Sequence, residues 1–187
     1  MSVRFFIILA ISFLALAQLP VIQPILDWQR NAIDHGEIWR LITGNLTHTN
    51  WPHMIMNSLA LAIITFIFRR HLTPAILLKL ILGLSCCVGL SLLWSDMNRY
   101  AGLSGVLHGL FAWGAIRDIE QEDKSGWLLL AGVTAKVLWE QWFGGSASSA
   151  ALINARVAVE AHLAGAVAGT IWGTCHVWTK RHWLRRS

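Results

Sequence analysis

Six stretches of the chain are apolar over nearly a full helix length, at about 5–26, 53–68, 74–95, 101–116, 126–143 and 157–178, with polar residues gathered between them. Segments of roughly 17–25 apolar residues cross a hydrocarbon core of about 30 Å, so each stretch is predicted to be a membrane-spanning helix. The second and fourth are short, which suits helices shielded inside a bundle. The expected fold is therefore all-α: a polytopic membrane protein with one domain over residues 1–187 and no internal repeat, low-complexity tract or interdomain linker. The first stretch carries a competing signal, because Arg4, an apolar run and Ala15-Leu16-Ala17 are arranged like a cleavable signal peptide. Apolar character continues through Val21, Ile22, Ile25 and Leu26, which favours a retained helix kinked near Pro20.

Composition agrees with the pattern. The chain is 55% hydrophobic and only 13% charged, the profile of a polytopic membrane protein with no room for a separate soluble domain. With the N-terminus in the cytoplasm, Arg4, Arg69, Arg70, Lys79, Arg117, Lys124, Lys180, Arg181, Arg185 and Arg186 fall inside. Arg30, Arg40, Arg99 and Arg156 fall outside, and Lys136 lies within a span. Ten against four supports cytoplasmic N- and C-termini. The net charge of +5 then meets anionic lipid headgroups and needs no nucleic acid to explain it. Trp28, Trp39, Trp51, Trp94, Trp127 and Trp183 lie near predicted interfaces, where indole rings accumulate. Cys86, Cys87 and Cys175 form neither a disulfide framework nor a spaced metal motif.

This topology places His53, Ser104 and His162 near the outer ends of the second, fourth and sixth spans, each within roughly 10 Å of the end at 1.5 Å per residue. Polar side chains in hydrocarbon are costly and mark functional sites. Ala161, Gly165, Gly169 and Gly173 on one span, and Gly105 and Gly109 on another, form small-residue rows that let helix backbones approach closely. Serine is a weak nucleophile that needs a positioned base, and histidine suits near neutral pH. His162 is expected to take the Ser104 proton and return it to a leaving amine. No third, orienting acid is evident: Glu160 points away from His162 and is expected to pair with Arg156 four residues earlier, so a dyad is the economical reading. His53 and Asn57, one turn apart, with the backbone N–H of Ser104, are the candidate oxyanion donors. Bonds between neighbouring helices are the structural alternative for His53 and Asn57.

These residues resemble the rhomboid intramembrane serine proteases. Gly102-Leu103-Ser104-Gly105 is similar to that family's nucleophile motif, Ala161-His162 with Gly165 to its histidine helix, and His53 to Asn57 to its H-x-x-x-N. Glu37-Ile38-Trp39-Arg40 resembles the Trp-Arg signature of its first external loop, and His48 stands where an earlier loop histidine often does. The resemblance runs from the second span through the sixth. It implies a six-helix rhomboid-like bundle that hydrolyses peptide bonds without metal or cofactor. Ser104 is then the nucleophile and His162 the base, with His53, Asn57 and the Ser104 amide around the oxyanion, and Gly102 and His108 as auxiliary candidates. The implied substrate is a transmembrane helix that partly unwinds as it leaves the bilayer. His108 replaces an aromatic residue that packs on the histidine in many rhomboids, and Ala164 replaces a frequent glycine.

His108 and the compact form are further similar to the rhombosortase branch, which implies exported substrates bearing a C-terminal Gly-Gly, a hydrophobic helix and a basic tail. The site would then open to the periplasm from a bacterial inner membrane. Lys136 and Glu140, four residues apart in the fifth span, read first as an intrahelical pair and second as a substrate contact. Two other classes stay open: a metal-dependent protease or transporter using His48, His53, His108 and His162, whose spacing matches no zinc motif, and a noncatalytic rhomboid-like protein that binds transmembrane helices.

Overall fold

The computed structural model describes the backbone of residues 1–184 and side chains through residue 175. Arg185 and Arg186, and the side chains of Lys180, Arg181 and Trp183, counted above towards the inner face, lie outside the described residues. Ten helices occur among the described residues: α1 Val3–Ala17, α2 Gln23–Leu26, α3 Arg30–Asp34, α4 Arg40–Thr43, α5 Trp51–Ile67, α6 Pro74–Ser91, α7 Ser104–Glu120, α8 Ser125–Phe143, α9 Ala147–Ile153 and α10 Val159–Leu184. The fold is mostly helical, as expected. One antiparallel pair was not expected, β1 Trp28–Gln29 with β2 Arg99–Tyr100, registered as Trp28 opposite Tyr100.

Local chemistry sets the boundaries. The Asn50 side chain accepts the His53 N–H and Pro52 sits in the first turn of α5, so that helix starts two residues before the predicted span. Thr73 caps α6 in the same way with Pro74 following it. The first span is not one kinked helix: α1 stops at Ala17, and residues 18–22 turn before α2 begins. Pro20 disfavours helical backbone at the residue before it, and the Gln18 and Gln23 side-chain amides turn aside to donate to the His48 carbonyl, Gln18 at 3.0 Å. The fourth span begins at Ser104 rather than 101, because Gly102 has φ +146° and cannot be helical. α7 then continues to Glu120, beyond the predicted end.

Among the described helices, α6 with the 3₁₀ turn Leu92–Trp94 that continues it is long and apolar enough to cross a bilayer by length and composition alone, with a mean hydropathy of 2.3. Arg40–Leu46 and Trp51–Ile67 pass only as a pair, bent by 91°. α1 is apolar but only 15 residues long, and polar residues interrupt later runs: His53 and Asn57 in α5, Lys136 and Glu140 in α8, His162 in α10. Their outward faces are nonetheless apolar. Ile8 and Phe13 on α1, Leu59 and Phe66 on α5, and Trp139 and Trp142 on α8 are all exposed, a surface far more apolar than water-soluble proteins present.

α7 is the central helix, with α5, α6, α8 and α10 packed around it. Its buried Val106, Leu110 and Trp113 join Phe68, Leu77 and Leu84 in the main core. At one end, the Arg70 guanidinium donates to Asp118 at 2.8 Å and to Asp123 at 2.5 Å, while buried His71 lies 2.5 Å from Asp118, tying the α5–α6 turn to the α7–α8 turn. The Ser125 hydroxyl and Arg70 hold the Asp123 carboxyl down to about 2.

At the opposite end the long loops interlock. All four arginines assigned to that face serve the structure there. Arg30 donates to the carbonyls of Leu92, Leu93, Ser95 and Met97. Arg40 and Arg99 grip the buried Asp27 carboxylate at 2.9 and 2.6 Å, and Arg156 pairs with Glu160 at 2.9 Å. Trp28 corrects the reading of tryptophans as interface anchors: it is fully buried, donates its indole N–H to the Gly89 carbonyl at 3.0 Å, and is covered by Gly44. Trp39, Trp51, Trp94 and Trp127 are exposed.

Candidate active site

The loop end of the bundle sets the position of Ser104. The β1–β2 pair carries the chain from Tyr100 towards α7, the Tyr100 hydroxyl donates to the Gly102 carbonyl at 2.5 Å, and the Gly102 N–H donates to the Gly44 carbonyl at 3.2 Å. Gly102 is required twice over. Its φ lies in the left-handed region, and a β-carbon there would stand 2.8 Å from His53 Cε1. Ser104 follows as the first residue of α7, where no side chain caps the helix and the first backbone N–H groups have no intrahelical acceptor.

The small-residue rows bring the second key helix close. A β-carbon on Gly105 would stand 2.7 Å from the Ala161 carbonyl oxygen, and one on Gly109 would stand 2.6 Å from that of Gly165. Reciprocally, β-carbons on Gly165 and Gly169 would overlap the Gly105 and Gly109 carbonyls. α7 and α10 are therefore in backbone contact, and the residues beside the first pair face each other. Ser104 Oγ lies 2.9 Å from His162 Nε2.

The protons follow from valence. His162 Nδ1 is 2.8 Å from Glu140 Oε2, and an ionised carboxylate only accepts, so Nδ1 carries the proton and Nε2 is left to accept from the Ser104 hydroxyl. Lys136 Nζ is 2.7 Å from the other Glu140 oxygen. His108 stacks on the His162 ring with centroids 4.1 Å apart and planes 20° apart, and its Nδ1 donates to the Ser104 carbonyl at 2.7 Å. The expectation that no acid is placed to meet His162 is thus corrected: Glu140 of α8 is hydrogen-bonded to its Nδ1. Glu160, as expected, is turned to Arg156.

His53 and Asn57 are buried on one face of α5. The Thr49 hydroxyl donates its proton to the Ile153 carbonyl at 2.6 Å, so at 3.0 Å from His53 Nδ1 it accepts. A neutral His53 therefore keeps its proton on Nδ1, and it offers a donor at Nε2 only when doubly protonated. Asn57 differs, because its buried side-chain Nδ2 has no hydrogen-bond partner. A buried unpaired donor costs about 1–3 kcal/mol, and this one is left to meet an incoming acceptor. His48, fully buried in the loop before α5, packs edge-on against His53 with centroids 5.0 Å apart. Burial, reinforced by nearby His53, pushes His48 down to about 3, so it is neutral.

A family model for the Rhomboid domain matches residues 35–179. The chain belongs to the rhomboid family. No curated protein matches it. Membership makes it an integral membrane protein of a family whose members are generally intramembrane serine proteases and which includes inactive ones.

In this rhomboid a cavity of about 660 Å³ opens beside Ser104. Met56, Ala60 and Ile64 of α5 form one wall and Leu128, Gly132 and Lys136 of α8 the other, with His53, Asn57, Ser104, His108, Glu140 and His162 at its loop end. The predicted site residues are thus gathered at one cavity, apart from His48 and Gly102, which pack against His53 without lining it. His108, Glu140 and His162 also have potential metal-ligand atoms within 4.8 Å of one another. That set does not fit a metal well as it stands: both His162 nitrogens and His108 Nδ1 are already in hydrogen bonds, and the two imidazoles are stacked rather than convergent. Sequence reasoning missed Thr49, Tyr100 and the role of Glu140. Glu140 alone left a trace, as a carboxylate inside an apolar span.

Proposed function

We propose that this rhomboid is an intramembrane serine endopeptidase with Ser104 as nucleophile and His162 as general base, working inside a six-helix transmembrane bundle. The observation that carries the reading is the 2.9 Å contact from Ser104 Oγ to His162 Nε2, with the Nδ1 proton already committed to a carboxylate. In that tautomer His162 removes the Ser104 proton as Oγ attacks the peptide carbonyl, and the resulting imidazolium returns it to the leaving amine. Water then repeats the sequence on the acyl-enzyme. The oxyanion is met by the Ser104 backbone N–H and the unpaired Asn57 amide, with His53 contributing when protonated.

Asn57→Ala is expected to lower kcat about 10²-fold, the usual effect of removing one oxyanion donor, with a smaller effect on stability from truncating a buried side chain. Steady-state kinetics and a melting curve on the same preparation check this. A loss of stability without a loss of kcat would reassign Asn57 to packing.

The substrate in this reading is a transmembrane helix that reaches Ser104 from the bilayer between α5 and α8. The gap between those helices leads to the site, and its walls are apolar apart from Lys136. We further infer a place in the rhombosortase branch, in a bacterial inner membrane with N- and C-termini cytoplasmic and the site open to the periplasm. The substrates would be exported proteins ending in Gly-Gly, a hydrophobic helix and a basic tail. A glycine pair suits such a site because each glycine costs a helix about 1 kcal/mol relative to alanine, so the segment unwinds readily.

The test is cleavage, in a bacterial membrane, of an exported reporter followed by Gly-Gly, an apolar helix and an Arg-rich tail. Cleavage by wild type, absent with Ser104→Ala, is expected. If only substrates without Gly-Gly are cut, the branch assignment fails and the protease stands. If nothing is cut, a noncatalytic binder of transmembrane helices becomes the leading reading.

A further inference from the structure

Glu140 lies in α8, on neither helix that carries the serine or the histidine, yet it is buried with one carboxylate oxygen 2.8 Å from His162 Nδ1. We propose that Glu140 is a positioning residue for catalysis, the third member of a Ser104–His162–Glu140 array. This rests on the serine-protease reading above.

Three contacts restrain the imidazole. Glu140 takes its Nδ1–H, Ser104 occupies its Nε2, and His108 covers one face. Of these, only the carboxylate selects the tautomer. Without it, the proton is free to sit on Nε2, where the ring donates to the Ser104 oxygen instead of accepting from it and no longer acts as a base. During attack the Oγ–H bond breaks, a C–O bond forms and the proton moves to Nε2. The imidazolium so created lies between the oxyanion intermediate and the Glu140 carboxylate, which stabilises it without becoming protonated itself.

Lys136 explains how a carboxylate is kept in this place. An isolated charge inside an apolar span is costly, and the ammonium 2.7 Å from the second oxygen, one helical turn earlier, offsets that cost. Lys136 is half-exposed on the cavity side while Glu140 is nearly enclosed, so the pair runs from the cavity inwards to the histidine. Were the carboxylate present only to neutralise the lysine, the contact with His162 would have no consequence for the reaction, and the two substitutions would behave alike.

The experiment compares wild type, Glu140→Gln, Glu140→Ala, Glu140→Asp and Lys136→Met in liposomes, reading kcat and KM for a cleaved substrate, the rate of Ser104 labelling by a fluorophosphonate probe, and thermal melting. Glu140→Ala is expected to lower kcat and the labelling rate by about 10²- to 10⁴-fold with KM within about threefold. Glu140→Gln, similar in size but uncharged, should show at least about a tenfold loss while melting like wild type, and Glu140→Asp should recover part of kcat. Lys136→Met should lose less than Glu140→Gln. Unchanged kcat and labelling in a folded Glu140→Gln overturn the proposal while the protease reading stands. So does a Lys136→Met loss equal to that of Glu140→Ala. A wild type that neither cleaves nor labels overturns both.

Discussion

Ser104→Ala and His162→Ala are each expected to reduce kcat by about 10⁴-fold or more, and the double variant should be no worse than either single one. The reason is geometric. The hydroxyl and the imidazole share one hydrogen bond at 2.9 Å, and each is useless to the other's function alone: without the base the hydroxyl is a weak nucleophile, and without the hydroxyl the base has no proton to move. Both changes shorten a side chain that faces the cavity, so the α7–α10 contact below them should survive. Single-turnover cleavage in liposomes, with melting curves on the same samples, is the measurement. A single variant retaining more than about a tenth of wild-type kcat would remove the dyad from the mechanism, and additive losses in the double variant would show that the two groups act independently.

The parts of this arrangement legible in the sequence are those written in local spacing. Gly102-Leu103-Ser104-Gly105 and the four-residue rows on α7 and α10 announce a close helix contact because every fourth residue shares a helix face. That contact puts Ser104 beside His162. The His53–Asn57 spacing likewise lies on one face and on the cavity. Features depending on chain direction outside helices were not legible. The β1–β2 pair joins residues about seventy positions apart, and α9 lies in a segment rich in Ala and Ser that no apolar period marks.

Glu140 was hidden for a different reason. Its spacing from Lys136 satisfies a local rule and points to an intrahelical pair or a substrate contact, whereas a carboxylate has two oxygens, of which the lysine takes one and His162 the other. Trp28 shows the converse error, a local rule applied where tertiary packing decides. Its place after an apolar run reads as a membrane interface, but Gly44 and the Gly89 carbonyl enclose it. The four arginines expected at the outer face, Arg30, Arg40, Arg99 and Arg156, each serve a carbonyl cluster or a carboxylate at the loop end of the bundle.

Gly165→Leu is expected to leave no stably folded protein, and Gly165→Ala to destabilise by about 1–3 kcal/mol, the usual range for overpacking a tight contact. A β-carbon at 165 would overlap the Gly105 carbonyl oxygen, which is backbone and cannot swing aside as a side chain could. Relief requires α7 and α10 to separate, and Gly109 and Gly169 one turn further along resist that movement through the same kind of contact. Separation would act on chemistry as well as stability. Ser104 and Gly105 are neighbours on α7, as His162 and Gly165 are on α10, so a shift of about 1 Å at the glycines lengthens the Oγ to Nε2 hydrogen bond by a similar amount, enough to cost about 10²-fold in rate. In Gly165→Ala the loss of kcat should therefore exceed what its unfolded fraction explains. Gly132→Ala in α8 is the control for stability alone, since a β-carbon there meets nothing within 4 Å and alanine favours helix by about 1 kcal/mol, while the residue itself lines the cavity. Thermal melting and kcat measured together on both variants decide the matter. If Gly165→Ala matches wild type in both, the backbone contact between α7 and α10 is not what fixes the distance between serine and histidine.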